Sequence, residues 1–192
     1  VRVLRAKLMS SIPVHEGHLL VDRESWRKYY KPRLNPDEPN RFPRAWDDCV
    51  KRWSDPNRSY PLFLPGGSLY GWIRNWMGVE AVSYVVYDDP SWFEEMVETA
   101  ADCIVGLLQR ILASNVRFDA CAMWEDMCYS GGPLISPEYF KRFLVPHYKR
   151  ITELLHKHDV DIIWLDSDGD IKQLLPLWLD AGVNCMMPVE IG

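Results

Sequence analysis

No apolar run in this 192-residue chain approaches the roughly 18 residues that a membrane span needs, so no spanning helix is expected. An excess of positive charge is missing too. Lys and Arg number 22 against 27 Asp and Glu, and the net charge of −5 argues against nucleic acid or an anionic membrane as the main partner. Cysteine is sparse and unpatterned: Cys49, Cys103, Cys121, Cys128 and Cys185 form no CxxC pair and leave one odd. Neither a disulfide framework nor a zinc ribbon is indicated, and a reducing, cytoplasmic setting fits best. The chain also lacks a starting Met and a signal-type segment, and it stops at Gly192 just after an expected strand. It reads as an internal fragment of a longer protein. What is present, 47% hydrophobic and 26% charged residues, is an ordinary globular composition with enough chain for one sizeable core.

The most informative stretch is Val160–Asp170. A short apolar run, Ile162 to Leu165, breaks into three acids spaced two apart, Asp166, Asp168 and Asp170. The run reads as a buried strand. A helical pattern follows at once, with Ile171, Leu174, Leu175 and Trp178 on one face. Ligands in α/β folds sit at the carboxyl ends of strands, so these carboxylates form a candidate site. The blander account is that Asp170 caps the helix and the others are solvated loop acids. Asp166 is the sharpest candidate because it lies nearest the buried strand, where a carboxylate must find a partner or raise its pKa.

Elsewhere, residues 1–59 are polar, aromatic and proline-punctuated, with short helices expected over Arg23–Tyr30 and Ala45–Trp53. His15 and His18 are three apart, but Pro13 and Gly17 argue against the helix that would make them a metal pair. Tyr60–Leu64 is the first expected strand, ended by Pro65-Gly66-Gly67. A helix follows, with Leu69, Trp72, Ile73, Trp76 and Met77 on one face and Gly78 at its end. The Gly66-Gly67-Ser68 turn either cradles an anion on the backbone N–H groups of that helix start or simply makes a tight turn; no Lys follows, unlike a P-loop. Asp89 and Pro90 read as the cap and first residue of a long helix with a wide apolar stripe. Phe118–Trp124 is a second buried-type strand running into Glu125 and Asp126. Ser136-Pro137-Glu138 opens a helix that Pro146 kinks, and Val183–Met187 is the last strand, closing with Glu190. Tyr60–Leu64, Phe118–Trp124, Val160–Leu165 and Val183–Met187 are therefore expected as parallel neighbours with outer helices. The acids ending three successive strands then converge on one rim.

Several stretches resemble the uroporphyrinogen decarboxylase superfamily. They are Trp124-Glu125-Asp126-Met127, Gly132-Pro133-Leu134-Ile135-Ser136-Pro137-Glu138, Phe143-Leu144-Val145-Pro146, Leu165-Asp166-Ser167-Asp168-Gly169-Asp170-Ile171 and Ala181-Gly182-Val183-Asn184. Asp22-Arg23-Glu24-Ser25-Trp26 is similar to divergent members. The resemblance implies a (β/α)8 barrel, here a partial one: a single domain over 1–192, with an irregular helical part over 1–59 and βα units over 60–192. It implies cofactor-free decarboxylation of a tetrapyrrole or related small molecule, with a corrinoid-dependent methyltransferase relative as the alternative and a non-catalytic small-ligand-binding barrel as a third reading. Expected catalytic residues are Asp166, Asp168 and Glu125. Expected substrate contacts are Tyr87, Asp126, Trp124 and Glu190, of which Tyr87 matches the decarboxylase tyrosine. No metal and no cofactor are expected. The methyltransferase branch carries His-x-Cys-Gly where this chain has Asp166-Ser167-Asp168-Gly169, and two carboxylates do not replace a zinc-binding imidazole and thiolate. The expected partner is a small molecule, with room for a homodimer, and with a corrinoid protein if the alternative holds.

Overall fold

The structure is a computed structural model that describes residues 2–4 and 14–188. Glu190 and the side chains of His15 and Glu16 lie outside the described residues. Strands β1 (Arg2–Leu4) and β2 (Val14–Glu16) pair antiparallel. The following aromatic segment coils through α1 (Arg23–Ser25), a π turn over Trp26–Tyr30, 3-10 turns over Lys31–Leu34 and Pro39–Arg41, and α2 (Trp46–Trp53). A central sheet then alternates with helices: β3 (Phe63–Gly67), α3 (Tyr70–Met77), α4 (Val79–Asp88), α5 (Pro90–Leu112), β4 (Ala120–Trp124). A small hairpin of β5 (Cys128–Tyr129) and β6 (Gly132–Pro133) precedes α6 (Pro137–Phe143), α7 (Val145–His156), β7 (Ile163–Asp166), α8 (Leu175–Asp180) and β8 (Cys185–Met187).

The four central strands are parallel, in the order β3-β4-β7-β8. This is the pairing that the strand–helix alternation predicts. Sequential right-handed crossovers place the connecting helices on one face. Strand alternation agrees, because Leu64, Gly66, Cys121, Met123, Ile163 and Leu165 are all buried. Residues between them line the opposite face. There Phe63 meets Trp164 edge-on at 5.9 Å, and both Phe63 and Met187 remain 45% exposed.

Element boundaries move for identifiable reasons. The first strand is not ended by Pro65-Gly66-Gly67 but runs through it. Pro65 is tolerated because β3 is an edge, and Gly66 is needed because a Cβ there would stand 2.4 Å from the Met123 side chain. After β7 the helix begins at Leu175 rather than Ile171. Asp170 instead accepts the Lys172 N–H at 3.1 Å and opens a turn. Pro146 breaks the predicted helix in two, α6 ending at Phe143 and α7 starting at Val145. Ser136 caps α6 and Asp89 caps α5, each with proline in the first turn, as the sequence indicates.

Asp89 does more than cap. Arg23 clasps it through two bonds of 2.8 and 2.9 Å, tying the N-terminal coil to α5. That bonding, with the cap itself, brings the Asp89 carboxyl down to about 2. A lowered folded-state pKa gives stability that is present above the ordinary value of 3.8 and is lost as pH falls through about 2. Asp89→Ala should therefore cost about 1 kcal/mol at neutral pH, the usual worth of a cap. Denaturant titrations should also show a flatter acid limb than wild type between those two pH values.

Candidate functional site

Glu125 and Asp126 leave the end of β4 in opposite directions. Glu125 is 0% exposed, and its carboxylate lies at the start of α3. Its Oε2 accepts the Ser68 hydroxyl at 2.9 Å and the N–H groups of Tyr70 and Gly71 at 2.8 and 2.9 Å. Its Oε1 accepts the Leu69 N–H at 2.8 Å and the Tyr148 hydroxyl at 2.5 Å. The Gly66-Gly67-Ser68 turn thus does cradle an anion on free helix-start N–H groups, and the anion is the protein's own carboxylate. Burial pushes the Glu125 carboxyl up, and the donors from Tyr148, Leu69, Gly71 and Ser68 pull against that rise. With five donors aimed at it and no solvent contact, Glu125 holds the fold at this point and presents no oxygen to a ligand.

Asp126 takes the outward direction. Its φ of 42° puts it in the left-handed region, which Asp tolerates better than most residues. Arg74 of α3 fixes it there, donating to its carbonyl at 2.7 Å and to its carboxylate at 3.4 Å. In that pose Asp126 faces Asp166. The Asp166 carboxyl is pushed up by burial first, then by the charges of Asp126 and Asp168. The β4 acid that acts on Asp166 is thus Asp126, with Glu125 turned inward. Among the described residues neither Asp166 nor Asp168 has a side-chain hydrogen bond or ion pair, and Asp168 is exposed. Asp170 is spent on its turn.

The loops carrying these acids are locked together. Glu125 N–H donates to the Asp166 carbonyl at 2.8 Å, and Met127 N–H donates to the buried Ser167 hydroxyl at 3.3 Å. Asp170 N–H donates to the Tyr129 carbonyl at 2.9 Å. Gly169, at φ +86°, packs so closely on the β5–β6 hairpin that a Cβ would stand 2.6 Å from the Tyr129 nitrogen. Trp124 pairs in register with Asp166 and so shares its face of the sheet. Tyr87 sits on α4, 52% exposed, and meets Tyr139 of α6 edge-on at 4.9 Å.

The structure thus brings Asp126, Asp166, Asp168 and Trp124 to one mouth, turns Glu125 away from it, and sets Tyr87 against Tyr139. Sequence reasoning missed Arg74, Ser167, Gly169 and Tyr148. Of these, Ser167 and Gly169, placed between the acids, carried a local signal. A concavity of about 780 Å³ lies at the amino ends of the strands, around the Arg58–Asp119 ion pair. Sites in parallel sheets form at the other end.

Two outcomes follow for these acids. Glu125→Gln places an amide NH2 among donors and should cost several kcal/mol, while Tyr148→Phe, which removes one charge-assisted bond, should cost about 1.5–3 kcal/mol in denaturant unfolding. Asp166 has a raised folded-state pKa, so it contributes stability that is complete below 3.8 and is lost as pH rises through the folded value. Asp166→Asn should remove that loss, making the variant at least as stable as wild type at pH 7.

No family model and no curated protein matches the sequence. Among solved structures, the chain is similar to a methyltransferase from Methanosarcina mazei, with a TM-score of 0.52 and 13% identity over 74% of this chain. The match spans 41% of that structure's chain. At this identity the likeness is one of fold: a parallel sheet with its surrounding helices.

Proposed function

We propose that the chain forms part of a (β/α)8 methyltransferase related to the corrinoid-dependent branch of the uroporphyrinogen decarboxylase superfamily. Its substrate binds as a cation at the mouth built by Asp126, Asp166 and Asp168. The fold likeness to a methyltransferase supports the reaction class over decarboxylation. The barrel reading is supported by strand order and by the two faces of the sheet, helices on one and layered side chains on the other.

The charge of the site carries the substrate class. Three carboxylates face one guanidinium, that of Arg74, and two of the three have no partner of their own. Such a mouth repels a polycarboxylate tetrapyrrole and attracts an ammonium or sulfonium group. Trp124, on the same face as Asp166, adds an aromatic surface suited to a methylated cation.

In methyl transfer from such a cation, the bond from nitrogen or sulfur to the methyl carbon breaks. Its electron pair stays on the leaving atom, and the new bond forms to a nucleophile that a partner protein supplies. The substrate's positive charge falls as the reaction proceeds. Carboxylates that hold the cation therefore stabilise the bound substrate at least as much as the transition state, so they serve binding rather than rate. Zinc-based thiol activation has no place here, because the aspartates supply hard oxygen donors instead of imidazole and thiolate.

The test uses the full-length protein and tetramethylammonium, with neutral tert-butanol as the comparator. Tetramethylammonium should bind at least tenfold tighter by calorimetry, and Asp166→Asn and Trp124→Leu should each lose most of that preference. With an accepted methyl donor, Asp168→Asn should raise KM several-fold and leave kcat nearly unchanged. Release of CO2 from uroporphyrinogen, with no preference for the cation, would restore the decarboxylase reading.

A further inference from the structure

On the helical side of the molecule, away from the acidic mouth, the N-terminal coil and α3 form an open groove of about 270 Å³. It is lined by Tyr30, Arg33, Leu34, Arg41, Trp72 and Trp76. Its wall is a continuous row of rings. Trp26 stacks on Tyr30 at 6.4 Å and 14°, Tyr30 meets Trp76 at 5.1 Å, and Trp76 stacks on Trp72 at 6.1 Å and 26°. Buried Trp26 anchors one end, and its indole N–H donates to Glu95. Packing explains Trp26. It leaves unexplained why two guanidinium groups should flank the half-buried rings Tyr30, Trp72 and Trp76.

Neither arginine is held by a carboxylate, whereas some others of the chain are. Arg23, Arg58 and Arg74 each pair with a carboxylate. Among the described residues Arg33 and Arg41 pair with none, and no acid lines the groove. Arg41 donates through Nε to the Asn35 carbonyl at 3.3 Å. Glu95, the nearest acid on the ring row, is already engaged by Lys31 and Arg23.

The wall is also held in place. Pro36 sits against Gly106 of α5 so closely that a Cβ on the glycine would stand 2.7 Å away. Arg110 donates to the Pro36 carbonyl and lies 4.4 Å over the Phe42 ring. The arginine-bearing coil is therefore pinned to the longest helix, and little ordering is left for a ligand to impose.

We propose that this groove binds a small planar aromatic anion. One or two fused rings would stack on Tyr30, Trp72 and Trp76, and a carboxylate would be taken by the forks of Arg33 and Arg41. The size agrees, since the volume lies just under the roughly 300 Å³ at which pockets for larger ligands begin. Its charge is opposite to that of the ligand at the Asp166 mouth, so the two sites cannot exchange ligands. The proposal does not depend on the methyltransferase reading.

The probe is 2-naphthoate, compared with 2-naphthalenemethanol, in the full-length protein carrying 5-fluorotryptophan. The naphthoate should bind at least tenfold tighter than the alcohol and shift the fluorine signals of Trp72 and Trp76, assigned by Trp→Phe replacement. Arg33→Gln, at an exposed side chain, should weaken that preference without changing the melting temperature, and adding Arg41→Gln, which also gives up the Asn35 bond, should abolish it. Asp166→Asn should leave it intact, which separates this site from the mouth. Equal affinity for the two probes, no saturable binding, a preference that survives in the double variant, or shifts confined to other tryptophans would each overturn the proposal.

Discussion

A single buried carboxylate governs how this sheet is put together. Glu125 is fully buried, and an isolated charge in such a place would be prohibitively expensive. It is tolerable only because the start of α3 supplies three backbone N–H groups and the Ser68 hydroxyl, and α7 supplies the Tyr148 hydroxyl. The converse holds as well. The first N–H groups of a helix need acceptors, and at this buried end there is no solvent to provide them. Each partner would be destabilising without the other, so the end of β4, the β3–α3 turn and α7 have to assemble together. The neutral tyrosine completes the arrangement better than a cation would, because it donates without adding a second charge that must also be desolvated.

This constraint reaches the functional side through one peptide. With Glu125 committed inward, the next residue has to leave the strand in the other direction, and the backbone reaches that direction by placing Asp126 in the left-handed region. Arg74 then holds both its carbonyl and its carboxylate, so the helix that Glu125 anchors also aims Asp126 at Asp166. The adjacent loop is rigid for a related reason: Ser167 is buried beneath it and Gly169 lies against the hairpin backbone. The backbone at the ends of β4 and β7 is thus fixed, and Asp166 is kept where the charges of Asp126 and Asp168 act on it.

How far the sequence disclosed this depends on the range of the interactions. Strand–helix alternation is local, and it predicted the parallel order of all four central strands. The caps at Asp89 and Ser136 and the break at Pro146 are local too, and all three were legible. The strand through Pro65-Gly66-Gly67 was not, because what makes Gly66 acceptable is a close approach to Met123, far away in sequence. The mouth was half legible. Asp166 and Asp168 stand out beside a buried strand, whereas the opposite fates of Glu125 and Asp126 depend on donors 54 to 57 residues earlier and on Tyr148 of a later helix. The glycine turn left an anion cradle and a plain tight turn both open, and no local pattern could say that the anion was internal.

The face of the sheet opposite the helices links the site to the architecture. Phe63, Trp164 and Met187 present apolar surface there, beside Trp124 and Asp166, and a half-exposed aromatic row on a parallel sheet is unusual because such sheets are normally covered on both faces. In the proposed barrel, further strands would complete the layers and take this face out of water. Burial is already the main reason the Asp166 carboxyl is pushed up, ahead of its acidic neighbours. Closure would lower the local dielectric further. The charge on Asp166 would become harder to maintain alone, and its attraction for a bound cation would strengthen in the same proportion. In the proposed function the cation would then be the partner that lets Asp166 carry its charge, so occupancy of the mouth and closure of the sheet should stabilise one another.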